Sequence, residues 1–242
     1  MNVLIPMAGR GSRFSEDGYD VPKPMIPFLG KMMIEWAVDT LNIHGRHIFV
    51  IRKEHEEEAG LGEFLQNRYL GSVVIPIDYV TDGAACTALL AEEYIDNDQE
   101  LVITNCDQVL DWNAPAFMRF VRSDLTLDGA VVTYDSDKSI NSYAWLDSVT
   151  GRATAVREKT GVSPYSLNGV HYWKRGCDFV ESAKALIADS KTVNGEYYVS
   201  ETYNPMIAEG KEVAVYHIPS TCHHAVGTPL DLDRYLKIKE ES

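Results

Sequence analysis

An α/β fold around a mainly parallel sheet is the arrangement that the apolar residues of this sequence require. Short, near-continuous apolar runs, Asn2–Met7, His47–Arg52 and Glu100–Asn105 among them, read as strands buried on both faces. Stretches with apolar residues at helical spacing alternate with these runs. Three polar segments, Met7–Arg13, Thr81–Ala85 and Asp107, each begin where such a strand has just ended. Ligands of parallel sheets gather at the carboxyl ends of the strands, so these segments are expected along one edge.

Taken in order, Asn2-Val-Leu-Ile-Pro-Met7 opens the sheet and empties into the loop Ala8-Gly-Arg-Gly-Ser-Arg13. After an acidic loop and Val21-Pro-Lys23-Pro24, the stretch Met32–Leu41 carries apolar residues at 33, 34, 37, 38 and 41, a helical face with Gly45 just beyond it. His47–Arg52 is the second strand, and Glu54–Leu65 is a charged, partly amphipathic helix. Ser72–Val80 is strand material interrupted by Pro76, which assigns it to an edge or a break. Thr81-Asp-Gly-Ala-Ala-Cys-Thr87 opens a helix of small residues reaching Tyr94, and Glu100–Asn105 is the strand that delivers Asp107. Further on, Ala114–Val121 reads as a helix and Asp128–Tyr134 as a strand. Tyr143–Asp147 and Ala153–Glu158 flank a turn at Val149–Arg152 as a hairpin would, and Asn168–Trp173 is another strand. A helix over Asp178–Ala188, a strand over Glu212–Ile218 and a helix over Asp231–Lys239 complete the set. No repeat, low-complexity tract or Ser/Pro-rich linker divides the chain, so residues 1–242 are expected to form a single domain.

Composition narrows the partners. A chain of 242 residues that is 45% hydrophobic can bury a sizeable core. No run approaches the roughly 18 apolar residues of a membrane span, and the strand-like N-terminus lacks the basic lead of a secretory signal. Cys86, Cys106, Cys177 and Cys222 are widely spaced with no CxxC pair, which fits the reduced thiols of a cytoplasmic protein. A formal net charge of −14 opposes broad binding to nucleic acid or anionic membrane. An acidic protein that handles a polyphosphate must concentrate cations locally or recruit a metal.

The opening loop offers such cations. Glycines let the backbone approach phosphate oxygens, and successive N–H groups can converge on one anion. Arg13 and Lys23 would add charge-assisted hydrogen bonds, and Pro22 and Pro24 restrict the backbone on either side of Lys23. The alternative for the same residues is an ordinary turn with solvated cations. Asp107, at the mouth of the sheet, suits Mg²⁺, which binds through one or two carboxylates plus substrate phosphates; otherwise it caps the turn after its strand. Cys106 has no adjacent base and reads as a packed small side chain. His223-His224 has no third ligand spaced to complete a zinc site.

Met7-Ala-Gly-Arg-Gly-Ser-Arg-Phe14 followed by Pro22-Lys23-Pro24 resembles the signature of the sugar-phosphate nucleotidylyltransferases, also called nucleoside-diphosphate-sugar pyrophosphorylases. The likeness continues in the family's order through Asp82-Gly-Ala-Ala85, Asn105-Cys-Asp107, Arg157-Glu-Lys-Thr160, Asn168-Gly169 and Val226-Gly-Thr-Pro229. It implies a GT-A or Rossmann-like three-layer αβα sandwich with a mixed, mainly parallel central sheet. It also implies transfer of a nucleoside monophosphate from an NTP to a phosphorylated acceptor, with release of pyrophosphate and with Mg²⁺ as cofactor. Residues 1–110 would bind the NTP and 111–242 the acceptor. By the same resemblance Ala8, Gly9, Arg10, Gly11, Ser12 and Arg13 cradle the triphosphate, with Arg13 on the leaving pyrophosphate. Lys23 neutralises charge around the reacting phosphate. Gly83, Ala84 and Ala85 pack on base and ribose, and Asp107 holds the metal. Glu158, Lys159, Asn168, Gly169 and Glu196 face the acceptor. CTP, UTP and dTTP all remain open, with CTP slightly ahead, and a homo-oligomer is possible since many relatives associate.

Two departures fall on the acceptor side. Ala225 stands where many family members carry an Asp that completes the metal site, so either the metal has fewer protein ligands or His224 or Asp231 substitutes, and Thr160 replaces the Pro of the Glu-Lys-Pro motif. They point to a compact enzyme of surface-polysaccharide or capsule precursor synthesis. A GT-A glycosyltransferase would instead carry an Asp-x-Asp pair, where this chain has Asn105 before Asp107. A catalytically silent nucleotide-binding homologue is the other alternative.

Overall fold

The structure, a computed structural model, describes residues 1–139, 141–159 and 163–241. From the N-terminus, β1 (Asn2–Pro6) leads to the short helix α1 (Ser12–Glu16), the two-residue strands β2 (Pro27–Phe28) and β3 (Lys31–Met32), and helix α2 (Met33–Leu41). Next come β4 (Arg46–Arg52), α3 (Lys53–Ala59), α4 (Leu61–Arg68) and β5 (Val73–Ile77), then α5 (Ala84–Leu89), α6 (Glu92–Ile95), β6 (Leu101–Ile103) and β7 (Gln108–Leu110). The second half runs through α7 (Ala114–Ser123), β8 (Leu127–Tyr134), β9 (Ser142–Leu146), β10 (Ala153–Glu158), β11 (Tyr165–Trp173) and α8 (Gly176–Ala188). It ends with α9 (Tyr203–Ala208), β12 (Glu212–His217), β13 (His223–Ala225) and α10 (Pro229–Glu240).

The central sheet follows the order β10-β9-β11-β6-β1-β4-β5, with β8 paired to β11 and β12 beyond it. β5, β4, β1 and β6 are parallel to one another. β11 then joins β6 antiparallel, Trp173 opposite Leu101 and His171 opposite Ile103, which makes the sheet mixed. Both faces are covered. Val3 and Ile5 pack in one cluster with Ile34 and Leu41 of α2, Leu65 of α4 and Phe117 of α7. Leu4, pointing the other way, joins Ala88 of α5, Ile95 of α6 and Phe179 and Ala183 of α8. Burial on both faces is why β1 reads as an unbroken apolar run.

The expected helix over 54–65 is two helices, because Gly60 takes a left-handed φ of 64° between α3 and α4. The small-residue helix likewise breaks into α5 and α6. Pro76 does lie on an edge strand, since β5 pairs only with β4 among the described residues. A small antiparallel ladder of β13 and β7, with Ala225 opposite Gln108, has no counterpart in the sequence reading. It joins a third cluster of Phe14, Ile26, Val109, Val226 and Tyr235, which anchors the opening loop beside the C-terminal helix. Among the described residues no helix is long and apolar enough to cross a membrane.

Candidate active site

A cavity of about 780 Å³ opens at the carboxyl ends of β1 and β6, whose last residues Pro6 and Ile103 line it. The loop Ala8–Arg13 forms one wall in full, including both arginines. Its shape depends on Gly11, which sits at φ 64°; a Cβ there would come within 3.1 Å of the Cβ of Lys23. Phe14, the residue after the loop, is buried and meets the edge of Tyr19 at 5.1 Å, fixing where the loop ends.

Lys23 begins a 3-10 turn, Lys23–Met25, closed by a Met25 N–H to Pro22 carbonyl bond of 2.8 Å. Its ammonium reaches across the cavity mouth to Asp107 Oδ2 at 2.5 Å. Burial alone would lower the Lys23 pKa, but the Asp107 carboxylate outweighs it and leaves the ammonium above its ordinary value. Asp107 is held from behind by Val226, whose N–H donates to its carbonyl at 3.0 Å. Gly227 keeps the space beside the carboxylate open: a Cβ there would stand 2.6 Å from Oδ2 and 3.6 Å from Lys23 Nζ. Cys106 also lines the cavity, and burial pushes its thiol up to about 12, so it stays protonated. The two substitutes suggested for the missing Asp face elsewhere. His224 Nε2 lies 3.1 Å from Asp111, and Asp231 accepts from the Thr228 hydroxyl at 2.7 Å at the start of α10.

Gly83 and Ala84 line the cavity from a third side. Gly83 has φ 126°, and a Cβ would collide with the Tyr197 carbonyl at 2.4 Å. Tyr197 is bonded on either side of this glycine, donating to the carbonyl of the preceding Asp82 at 2.7 Å and accepting from the N–H of Ala85, two residues on, at 3.0 Å. Thr81 and Thr87 add hydroxyls to this wall and lie 2.6 Å apart.

The far end is acidic and rich in hydroxyls. Glu158 is 5% exposed and takes hydrogen bonds from Ser142 and, at 3.0 Å, from Ser200. Burial raises its pKa, against the pull of the two serines. Glu196 accepts from the Tyr198 hydroxyl at 2.6 Å, which in turn accepts from Lys159 Nζ at 2.5 Å. The cavity is therefore cationic where the loop and Lys23 meet it and acidic where Glu158 and Glu196 do.

Of the residues singled out in the sequence, the loop Ala8–Arg13, Lys23, Gly83, Ala84, Asp107, Glu158, Gly169 and Glu196 share this cavity. Ala85 is fully buried behind Ala84. Asn168 is also off the wall, its Oδ1 accepting from the Val170 N–H at 2.9 Å. Lys159 touches the site through Tyr198. Thr160 lies outside the described residues. Sequence reasoning missed His171, Ser142, Ser200 and Tyr198 and gave Gly227 no role beyond the block Val226-Gly-Thr-Pro229; all five are on the wall. His171 was within reach of the strand period, two residues after Gly169 on the same face of β11. Ser142 pairs opposite Glu158, a register that no local pattern announces.

Fold and site together put the protein among the nucleotidyltransferases. Residues 3–167 match the MobA-like NTP transferase domain, and the chain belongs to that family. It is 24% identical over 245 aligned positions to a UTP–glucose-1-phosphate uridylyltransferase of Haloferax volcanii, covering 96% of this chain and 94% of that protein. The solved nucleoside-diphosphate-sugar pyrophosphorylase of Vibrio cholerae RC9 superposes with a TM-score of 0.83 at 21% identity, over 97% of this chain and 99% of that one. The inositol-1-phosphate CTP transferase of T. maritima gives 0.75 at 18% identity, over 97% and 92%. These likenesses place the fold.

Proposed function

We propose that the protein transfers a nucleoside monophosphate from a pyrimidine NTP, CTP ahead of UTP and dTTP, to a sugar phosphate or related phosphorylated acceptor, releasing pyrophosphate for surface-polysaccharide precursor synthesis. The observation that carries this reading is one cavity lined both by the cationic loop with Lys23, which is paired to Asp107, and by Glu158 and Glu196 with the hydroxyls of Ser142 and Ser200. The relatives' named substrates, UTP with glucose 1-phosphate and CTP with inositol 1-phosphate, support a pyrimidine donor and a phosphorylated polyol.

In this reading the acceptor phosphate attacks the α-phosphorus in line, and no protein nucleophile is required. Both reactants are anions, so the chain's contribution is positioning and charge stabilisation. Arg13 and the loop amides hold the departing pyrophosphate, and Lys23, released from Asp107, neutralises the reacting centre. Glu158 and Glu196 orient acceptor hydroxyls. Asp107, whose Oδ2 meets Lys23 in this structure, suits a Mg²⁺ that arrives with the nucleotide as that ion pair opens; Asp107 and the phosphates would hold it, and it would supply further charge neutralisation.

The test is pyrophosphate release with CTP, UTP, dTTP and ATP against a panel of phosphorylated acceptors. Lys23→Ala and Arg13→Ala are each expected to keep their fold and lose roughly 10²–10³ in kcat, the usual cost of one transition-state donor. Near-normal turnover by Lys23→Ala would remove it from the mechanism.

A further inference from the structure

We propose that Ser142 and Ser200 are positioning residues for the acceptor, holding one oxygen of the Glu158 carboxylate so that the other is left to receive a hydroxyl of the phosphorylated acceptor. The inference rests on the transferase reading above and deepens it. All three residues line the cavity. Both serine hydroxyls donate to Oε2, Ser200 at 3.0 Å. Oε1 has no partner among the described residues, and it is not sealed: their buried, unpartnered side-chain atoms do not include it. Glu158 is 5% exposed. A carboxylate buried to that degree, with one oxygen still open at a cavity, is an acceptor that lacks its donor.

Two elements hold this carboxylate. Ser142 stands opposite Glu158 in the β9–β10 pairing, and Ser200 opens the 3-10 turn Ser200–Thr202. The next residue of that turn, Glu201, accepts from the Glu158 N–H at 2.7 Å. Asn204 joins turn and strand. Its amide donates to Glu201 Oε2 and to the Val156 carbonyl, both at 2.7 Å, and its Oδ1 accepts from the Val156 N–H at 2.9 Å. Backbone and side chain of Glu158 are therefore fixed together. Each serine has one hydroxyl proton, and each gives it to Oε2, so neither can donate to the acceptor as well. Their effect on the substrate passes through Glu158, which is held in advance of its ligand, the arrangement that spares ordering cost on binding.

Charge adds a pH signature. Burial raises the Glu158 carboxyl, and the bonds from Ser142 and then Ser200 are the strongest influences against it. Among the charged groups around it, Lys159 lowers it and Glu196 raises it, while Glu201 and Tyr198 are themselves raised in part by its charge. Removing a serine donor raises the Glu158 pKa further, so the carboxylate is lost at a higher pH. The acceptor hydroxyl then meets a protonated group that no longer offers the same lone pairs.

Wild type, Ser142→Ala, Ser142→Thr, Ser200→Ala and Glu158→Gln, with each alanine substitution also made in Glu158→Gln, are compared by pyrophosphate release at pH 6 and pH 8 and by thermal melting. The donors are CTP and UTP, and the acceptors are glucose 1-phosphate, inositol 1-phosphate and glycerol 3-phosphate. Each alanine variant is expected to raise the acceptor KM about three- to tenfold, the scale of one hydrogen bond, with kcat and the NTP KM unchanged. The rise is expected to be larger at pH 6 than at pH 8, to be absent from Ser142→Thr, and to vanish in the Glu158→Gln background. Ser142, only half-buried, carries the test by itself if Ser200→Ala does not fold. An alanine variant with a lowered Tm and a wild-type acceptor KM would mean structural serines, and overturns the proposal. So does a KM rise that persists undiminished in Glu158→Gln, which would put the serines on the substrate directly. A wild type that releases no pyrophosphate with any pair overturns the transferase reading and this one together, whereas an active enzyme indifferent to both alanine substitutions overturns this one alone.

Discussion

At Glu158 stability and the proposed acceptor role oppose each other. Burial is the largest influence on its carboxyl and raises the pKa above 4.5, with Ser142 and Ser200 pulling the other way. An acid raised by folding favours its protonated form in the native state. Its contribution is fully present below the unfolded pKa and is lost as pH rises through the folded one. Glu158→Gln imitates the protonated group and can keep partners in both serines. It is expected to raise Tm at pH 8 relative to wild type, with the gain vanishing near pH 4, while the acceptor KM rises. Melts at the two pH values with paired acceptor titrations check both halves; a lower Tm at pH 8 would show that the native state prefers the carboxylate.

Among the elements, the segment Asp82–Ala85 is tied to Tyr197 by two backbone hydrogen bonds, which join the wall expected to face the base to the chain carrying Glu196 and Tyr198. Gly83→Ala would place a methyl 2.4 Å from the Tyr197 carbonyl at a φ that disfavours any side chain. A stability loss of about 1–3 kcal/mol is expected, with KM raised for both substrates. Gly9→Ala, where a Cβ meets no heavy atom within 4 Å, is the control for the stability loss alone, since Gly9 belongs to the loop on the cavity wall. Denaturant titration and initial-rate kinetics decide; wild-type KM for both substrates in Gly83→Ala would mean that the tie does not position the site. The strands and the loop Ala8–Arg13 were legible because double-sided burial and glycine-mediated turns leave local marks. The break at Gly60 was hidden in a charged stretch whose periodicity continues across it. The β7–β13 ladder depends on residues far apart in sequence, so the position of Ala225 opposite Gln108 could not be read. Tyr198 lies in irregular chain and Ser200 at the start of a single 3-10 turn, where no period points a side chain at a cavity.

For the molecule as a whole, the buried histidines govern the response to acid. Burial lowers the pKa of His47, His55, His171 and His223, the last two to about 3 and about 4. A base depressed by folding contributes stability that is present above its unfolded pKa of 6.5 and is lost as pH falls toward the folded value. Asp124, held down to about 2 by Thr126 and Arg152, extends the same trend to lower pH, while Glu158 and Glu201 oppose it. Tm is therefore expected to fall from pH 7 to pH 4, less steeply in His171→Phe. Calorimetry across that range tests it, and a Tm that held or rose toward pH 4 would contradict the assignment.

The order of the sheet also limits how the chain can be divided. β6 closes the parallel block, and the strand that seals its outer edge, β11, comes from the far half of the sequence. A polypeptide ending at residue 110 would expose Leu101-Val-Ile103 as a bare apolar edge, and the remainder would carry the complementary edge of β11. Open edges of that kind recruit other strands and aggregate. The two halves of the chain thus share one sheet. Residues from both halves line the same cavity, so any reshaping of it is made within that one sheet.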